Sequence, residues 1–290
     1  MKNPDFICIG AQKAGTTWLH RNLDTHPDVS FPYFKELHYY DEIEEGICTN
    51  LYCRFFDGHW KNEWWRHTLK YSLYEAYKAK DLHKLMWLSK YFFAPRGKRW
   101  YRSLFPNEAG TITGDMTPEY GILRQELIRQ IHSNYPQTKI ILLLRNPIER
   151  DWSNIKMWQK RVKGMKSIQD VDMQFLIGQA KHNNDLSNYK MMIENWGSIF
   201  PKENFLIRFF DEIKEDPINL LKDTYKFLGI NSDHSAGTEK SVVNKGLTDK
   251  IPDEVASVLK EKHFDNLRAI EPLFEAQPTN YVTKWMKESY

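Results

Sequence analysis

The sequence predicts a single α/β domain over residues 1–290, with a mostly parallel central sheet flanked by helices and a helical, aromatic-rich insertion at about 42–108. Three observations carry this. Short apolar runs, "FICIG" (6–10), "IILLL" (140–144) and "FLIRFF" (205–210), alternate with amphipathic segments, as right-handed βαβ units do. The first two runs are apolar throughout rather than alternating, the mark of strands buried on both faces. No repeat, low-complexity tract or linker divides the chain.

The elements follow in order. "FICIG" is a strand that ends in glycine. "TTWLHRNLDTHP" (16–27) reads as a helix that starts on a threonine cap and stops at Pro27. "VSFPYFKELHYYD" (29–41) reads as a second, short extended piece with a turn. Within the insertion, "LKYSLYEAYKAKDLHKLMWLSKYF" (69–92) has leucines and aromatics at three- and four-residue spacing, so it is helical. "GTITGDMTPEY" (110–120) is a strand running into a polar turn, and "RQELIRQIHSNYP" (124–136) an amphipathic helix. "TKIILLLRNP" (138–147) is the clearest buried strand, followed by the helix "IERDWSNIKMWQKRV" (148–162). "ENFLIRFFDEI" (203–213) is a further strand, followed by the helix "DPINLLKDTYKFLGI" (216–230). In such a sheet, ligands bind at the carboxyl ends of the strands.

Composition narrows the partners. A 41% hydrophobic and 27% charged chain is that of an ordinary soluble globular protein. A net charge of +3 is far from the basic excess of a nucleic-acid binder, while a local basic site for a small polyanion fits. The chain holds 10 Trp, 15 Tyr and 16 Phe, many of them within 51–105. They read as a helical subcore or as the wall or lid of a substrate pocket. Three cysteines are too few and scattered for a zinc site. Cys8 reads as a core residue; a Cys48–Cys53 bridge is open, with reduced thiols expected. No segment approaches the roughly 18 apolar residues of a membrane span, and none resembles a signal peptide, so a cytoplasmic protein is expected.

"GAQKAGTT" (10–17) has the glycine spacing of a nucleotide-triphosphate P-loop, but not its lysine. Lys13 lies inside the loop, and Thr16 occupies the usual lysine position. Backbone N–H groups, a helix N-terminus and Lys13 still make an anion pocket, and Thr16 and Thr17 can donate to it. "IILLLRNP" ends in Arg145, where an ATPase strand would offer a Mg²⁺-holding aspartate. A cation there repels Mg²⁺ and attracts a second phosphate. The site is thus suited to a nucleotide with two anionic ends and no metal.

This pattern resembles the sulfotransferases that use 3′-phosphoadenosine 5′-phosphosulfate (PAPS) and release its desulfated product PAP. The resemblance covers most of the chain and implies a P-loop-NTPase-like fold. "GAQKAGTTWL" is similar to the family's 5′-phosphosulfate loop, which implies that Gly10, Gln12, Lys13, Ala14, Gly15, Thr16, Thr17 and Trp18 hold that end. "LLLRNPIERDWS" resembles the 3′-phosphate motif and implies Arg145 and Ser153 as its ligands. The run "NYKMMIENWGSIFPKENFLIRFFDEIKEDPINLLKDTYKFLGI" (188–230) resembles the family's third region and implies that Tyr189 contacts adenine. "VVNKGLTD" (242–249) resembles a nucleotide loop ending in lysine, glycine and arginine. It implies Asn244, Lys245 and Gly246 as ligands, with Leu247 in place of the arginine.

"FKELHYYD" resembles the "K-E-x-H-[FY]-[FY]" of the carbohydrate-modifying and bacterial branch. The resemblance implies Glu36 as general base, Lys35 as electrostatic helper and Lys13 as the group that neutralises the leaving phosphate. Chemically, a carboxylate in reach of an acceptor hydroxyl can take its proton. His38 is the competing base and lies on the acceptor side. Asp115 and Tyr120, in "GDMTPEY", match an acceptor-side motif in which Met116 replaces a lysine. The implied reaction moves a sulfuryl group to a hydroxyl, or alternatively an amine, of a carbohydrate, glycolipid or other small molecule. A P-loop kinase or NTPase and an inert nucleotide- or carbohydrate-binding module are the alternatives. The displaced lysine and Arg145 speak against the first.

Overall fold

A four-stranded, wholly parallel sheet organises the computed structural model, which describes residues 1–165, 167–182, 185–234, 249–277 and 279–289. Its strands β1 (Phe6–Gly10), β2 (Gly114–Asp115), β3 (Lys139–Leu144) and β4 (Phe205–Phe209) lie in the order β2-β1-β3-β4. Phe6 pairs with Lys139 and Ile7 with Ile140, while Ile140 to Leu144 pair with Phe205 to Phe209. Phe6, Ile7, Cys8 and Ile9 are all 0% exposed, because helices cover both faces of the central strands.

α1 (Thr16–Asp24) leaves β1. α2 (Tyr40–Glu44), α3 (Leu51–Phe56), α4 (Trp60–Lys78), α5 (Leu82–Phe93) and α6 (Lys98–Ser103) occupy the inserted region. α7 (Gln125–Asn134) leads into β3, and α8 (Pro147–Lys163) leaves it. α9 (Met173–Lys181) and α10 (Tyr189–Gly197) precede β4; α11 (Phe210–Glu215) and α12 (Pro217–Leu228) follow it. α13 (Asp253–Ile270) and α14 (Tyr281–Ser289) come last. Local chemistry sets the ends. On α8, the Asn146 side chain accepts from Ile148 N, Pro147 takes the first helical position and Gly164 ends the helix at φ 64°.

α8, α9 and α13 enclose a second apolar cluster that includes Trp152, Ile155, Leu176, Val255 and Leu259. Asp151 pins it. Its carboxylate accepts from Arg150 Nη1 at 2.8 Å, Ser187 Oγ at 2.6 Å and Lys262 Nζ at 2.9 Å, with His263 Nε2 at 3.0 Å. In the insertion, Trp65, Trp87, Tyr91, Phe92, Trp100 and Tyr101 are buried as a ring-packed subcore. Trp87 stacks on Tyr91 at 5.2 Å, and the Arg96 guanidinium lies 4.3 Å from the Trp100 ring centre.

The structure departs from several expectations. Residues 29–41 form no strand: Val29 makes one parallel bridge to Ile112. Pro32 brings no N–H to a ladder, and Phe31 and Phe34 turn their rings into the core instead. Thr16 is not a cap; Gly15 takes that position at φ 95°. The predicted long helix breaks at Lys80 (φ 54°), and Asp81 caps α5 by accepting from Lys84 N.

Cys48 and Cys53 form a disulfide, correcting the expectation of reduced thiols. The Asn50 side chain caps α3 by accepting from Cys53 N, and the turn leaves the two cysteine Cα atoms 5.8 Å apart. Among the described residues, no helix is long and apolar enough to cross a membrane. Thiol titration without reductant tests the pairing. The native protein should show no reactive thiol, because burial pushes the Cys8 thiol up to about 12; denaturation should expose one, and reduction two more.

Candidate active site

β1 leads to β2 at one edge of the sheet and β3 leads to β4 at the other. The loops after β1 and β3 therefore flank the switch point between adjacent strand ends. They are tied together: Ala11 N donates to Leu143 O at 2.7 Å, and Arg145 Nη1 to Lys13 O at 3.2 Å. Gly15 is required by geometry, since at φ +95° a Cβ there would lie 2.4 Å from Ile213 Cδ1. Burial, then the cations Arg145, Arg161, Arg150 and Lys156, push the Lys13 pKa below the ordinary lysine value. The first turn of α1 holds no acidic residue. Converging cations beside a helix N-terminus fit a polyanion.

The remaining loop residues divide. Gln12 Nε2 donates to Glu119 Oε1 at 3.1 Å, Thr16 Oγ1 accepts from Lys35 Nζ at 3.2 Å, and Thr17 is half-buried. Ala14 and Trp18 are buried and root the loop in the core. A Cβ on Gly10 would lie 3.1 Å from Pro118 O. Arg145 lies 4.4 Å from the Phe210 ring centre and 2.9 Å from Glu149 Oε2. Ser153 is half-buried on α8, about two turns further along the chain.

A second chain of charges runs from this loop. Lys35 Nζ donates to Glu36 Oε1 at 2.6 Å. His38 Nε2 lies 3.5 Å from Glu36 Oε2, and its Nδ1 lies 2.9 Å from Asp41 Oδ2. Lys61, from α4, donates to Asp41 Oδ2 at 2.9 Å and Glu45 Oε1 at 2.8 Å. Burial opposes ionisation of Glu36, but His38 and Lys35 overcome it and hold the carboxyl at about 2. Burial also opposes charge on His38, yet Asp41 and Glu36 raise its pKa well above 6.5. At neutral pH, His38 is therefore an imidazolium whose ring nitrogens both donate, and Glu36 is a carboxylate with lone pairs free to accept.

Residues 4–234 match the model of the sulfotransferase family. The chain belongs to that family. It is 31% identical over 139 residues to mouse (Mus musculus) heparan sulfate glucosamine 3-O-sulfotransferase 6, covering 47% of this chain and 40% of that protein. It is 23% identical over 261 residues to mouse carbohydrate sulfotransferase 15, covering 78% of this chain and 44% of that protein. The chain thus spans less than half the length of these relatives. A sulfotransferase crystal structure from Alicyclobacillus acidocaldarius shares the fold, with TM-score 0.68, 20% identity, and 98% and 99% of the two chains covered.

Within this sulfotransferase-family fold, three further predicted site residues are fully buried. Tyr189 is 0% exposed, and its phenol donates to Arg145 O at 2.7 Å. It braces the Arg145 loop from behind. Asp115 and Tyr120, predicted on the acceptor side, are also 0% exposed. Asp115 accepts from Tyr101 Oη at 2.9 Å, Thr117 Oγ1 at 2.7 Å and Leu37 N at 3.4 Å. Tyr120 Oη accepts from Tyr39 N at 3.0 Å. Together they hold the Lys35–Asp41 segment from beneath. Asn244, Lys245 and Gly246 lie outside the described residues.

The sequence reading missed Asp41, Lys61 and Glu119. Asp41 was accessible as the acid three residues after His38. Lys61 arrives from the insertion, and no local spacing announces it. Glu119 joins Glu36 and His38 in a group whose ligand-type atoms lie within 4.8 Å of one another. Lys35 and His38 already place two cations against the Glu36 carboxylate.

Burial pushes the Asp115 carboxyl up to about 6 from 3.8, hydrogen bonds notwithstanding. The folded state binds this proton more tightly than the unfolded chain. Its stabilising effect is full below pH 3.8 and lost as pH rises through about 6. Urea denaturation of Asp115→Asn and wild type should show the variant gaining relative stability across that window. A constant offset would contradict the assignment.

Proposed function

We propose that the protein transfers a sulfuryl group from PAPS to a hydroxyl of a carbohydrate acceptor, with Glu36 as general base. The observation that carries this is the placement of an ionised Glu36 between Lys35 and an imidazolium His38, with Lys35 also bonded to Thr16 of the anion loop. One lysine thus links the base to the phosphate-type pocket. The names of the relatives support a carbohydrate acceptor.

PAPS supplies an activated sulfuryl group when bound; the residues of the chain do the rest. The Gly10–Thr17 loop and the α1 N-terminus hold the anionic end, and Lys13 offsets negative charge that grows there. Arg145 and Ser153 hold a second phosphate, and Tyr189 fixes the Arg145 loop. Glu36 takes the acceptor proton. Its low pKa makes it a weak base while Lys35 is bonded to it, so an acceptor hydroxyl that displaces that contact raises its basicity. His38, already protonated and held by Asp41, orients Glu36 and cannot itself accept the proton. Arg145 replaces the Mg²⁺-holding aspartate of the kinase alternative, so the reading is metal-independent.

Calorimetric titration with PAP in EDTA, beside AMP and beside ADP with Mg²⁺, tests the donor site. PAP should bind without metal and far more tightly than AMP, and Arg145→Ala should erase that preference. Metal-dependent ADP binding with no preference for PAP would sink the reading. Glu36→Gln should lower turnover about 10²–10⁴-fold with PAP affinity unchanged. Near wild-type turnover in that variant would return the base assignment to His38. Lys13→Ala should weaken PAP binding and cut turnover about 10²–10³-fold.

A further inference from the structure

α4 shows two opposed faces. Lys61, Asn62, Trp65, Ser72 and Ala76 are buried against the protein. Trp60, Trp64, His67, Tyr71 and Tyr74 recur at three- and four-residue steps along the other face. They are open to solvent: Trp60 is 63% exposed, Trp64 45%, Tyr71 68% and Tyr74 60%. This stripe is roughly 21 Å long from the helical rise. It meets the catalytic group at Trp64, whose ring lies edge-on to His38 with centroids 5.7 Å apart.

We infer that this face of α4 is a binding platform for an oligosaccharide acceptor, whose chain runs along the rings and enters the site at Trp64. The inference rests on the sulfuryl-transfer reading and specifies its substrate as a chain of sugars. Continuity with His38 identifies the occupant as whatever brings its hydroxyl to Glu36. The ring types agree. No aliphatic side chain belongs to the stripe, and each ring joins an apolar face to an edge that can hydrogen-bond. A pyranose presents the matching surface, a C–H face bordered by hydroxyls. The platform is also fixed in place: Lys61 on its buried side is bonded to Asp41, and Asn62 Oδ1 accepts from Arg54 Nη1 at 2.8 Å. A preorganised surface loses little on binding.

The test uses PAP-saturated protein and size-graded cello-, chito- and desulfated heparan oligosaccharides, from disaccharide to hexasaccharide, followed by tryptophan fluorescence. In at least one series, affinity should rise with length. The double substitution Tyr71→Ala/Tyr74→Ala should remove that rise, weakening the longest member about tenfold and leaving disaccharide and PAP binding unchanged. Both rings are exposed, so the variant should fold, as circular dichroism would check. No length dependence in any series, or a double variant that follows wild type, would overturn the platform. So would a double variant whose only change is lost self-association in sedimentation or lost binding to phosphatidylcholine vesicles. Failure of the transfer reading would show separately, as absent metal-free PAP binding.

Discussion

The site depends on the parallel pairing of β1 with β3. Parallel strands all finish at one end of a sheet, and the β2-β1-β3-β4 order puts the two buried strands side by side there. Two loops separated by more than a hundred residues thereby become neighbours, tied by Ala11 N to Leu143 O and Arg145 to Lys13 O. Neither loop alone makes a site for a ligand with two anionic ends.

Charge then orders the crevice. Lys13 stands among cations, while Lys35, Glu36, His38, Asp41 and Lys61 alternate in sign along a partly buried line. Burial disfavours the charges on Glu36, His38, Asp41 and Lys61, and the oppositely charged neighbours offset that cost. The protonation states therefore belong to the chain of groups rather than to any one residue. Asp115 and Tyr120 support this arrangement from below through Leu37 and Tyr39 backbone amides, which explains why they are buried. Asp151 does the same for α8, where four partners hold the helix that follows Arg145.

The insertion divides its aromatic rings between the core and the solvent. Seven of its sixteen aromatic side chains fill a buried subcore, and the helices thus fixed direct Lys61 to the line of charges. Of the other nine, which stay in water, five lie along α4, a distribution that core packing alone does not require.

By itself, the sequence determined the parallel strands "FICIG" and "IILLL", the glycine-bracketed anion loop, Arg145 at the end of β3 and the Lys35–Glu36–His38 triplet. Each of these is written locally, in apolar runs, glycine spacing or adjacent residue types. Only the tertiary structure decided that Tyr189, Asp115 and Tyr120 lie behind the site, because burial depends on what packs above a residue. The same holds for Lys61, which reaches Asp41 from twenty positions away, and for the charge on His38, which depends on two carboxylates converging on one ring. The Cys48–Cys53 bridge and the solvent face of α4 also waited for the fold. A pattern shows that aromatic rings share a helix face, and packing alone tells which face meets water.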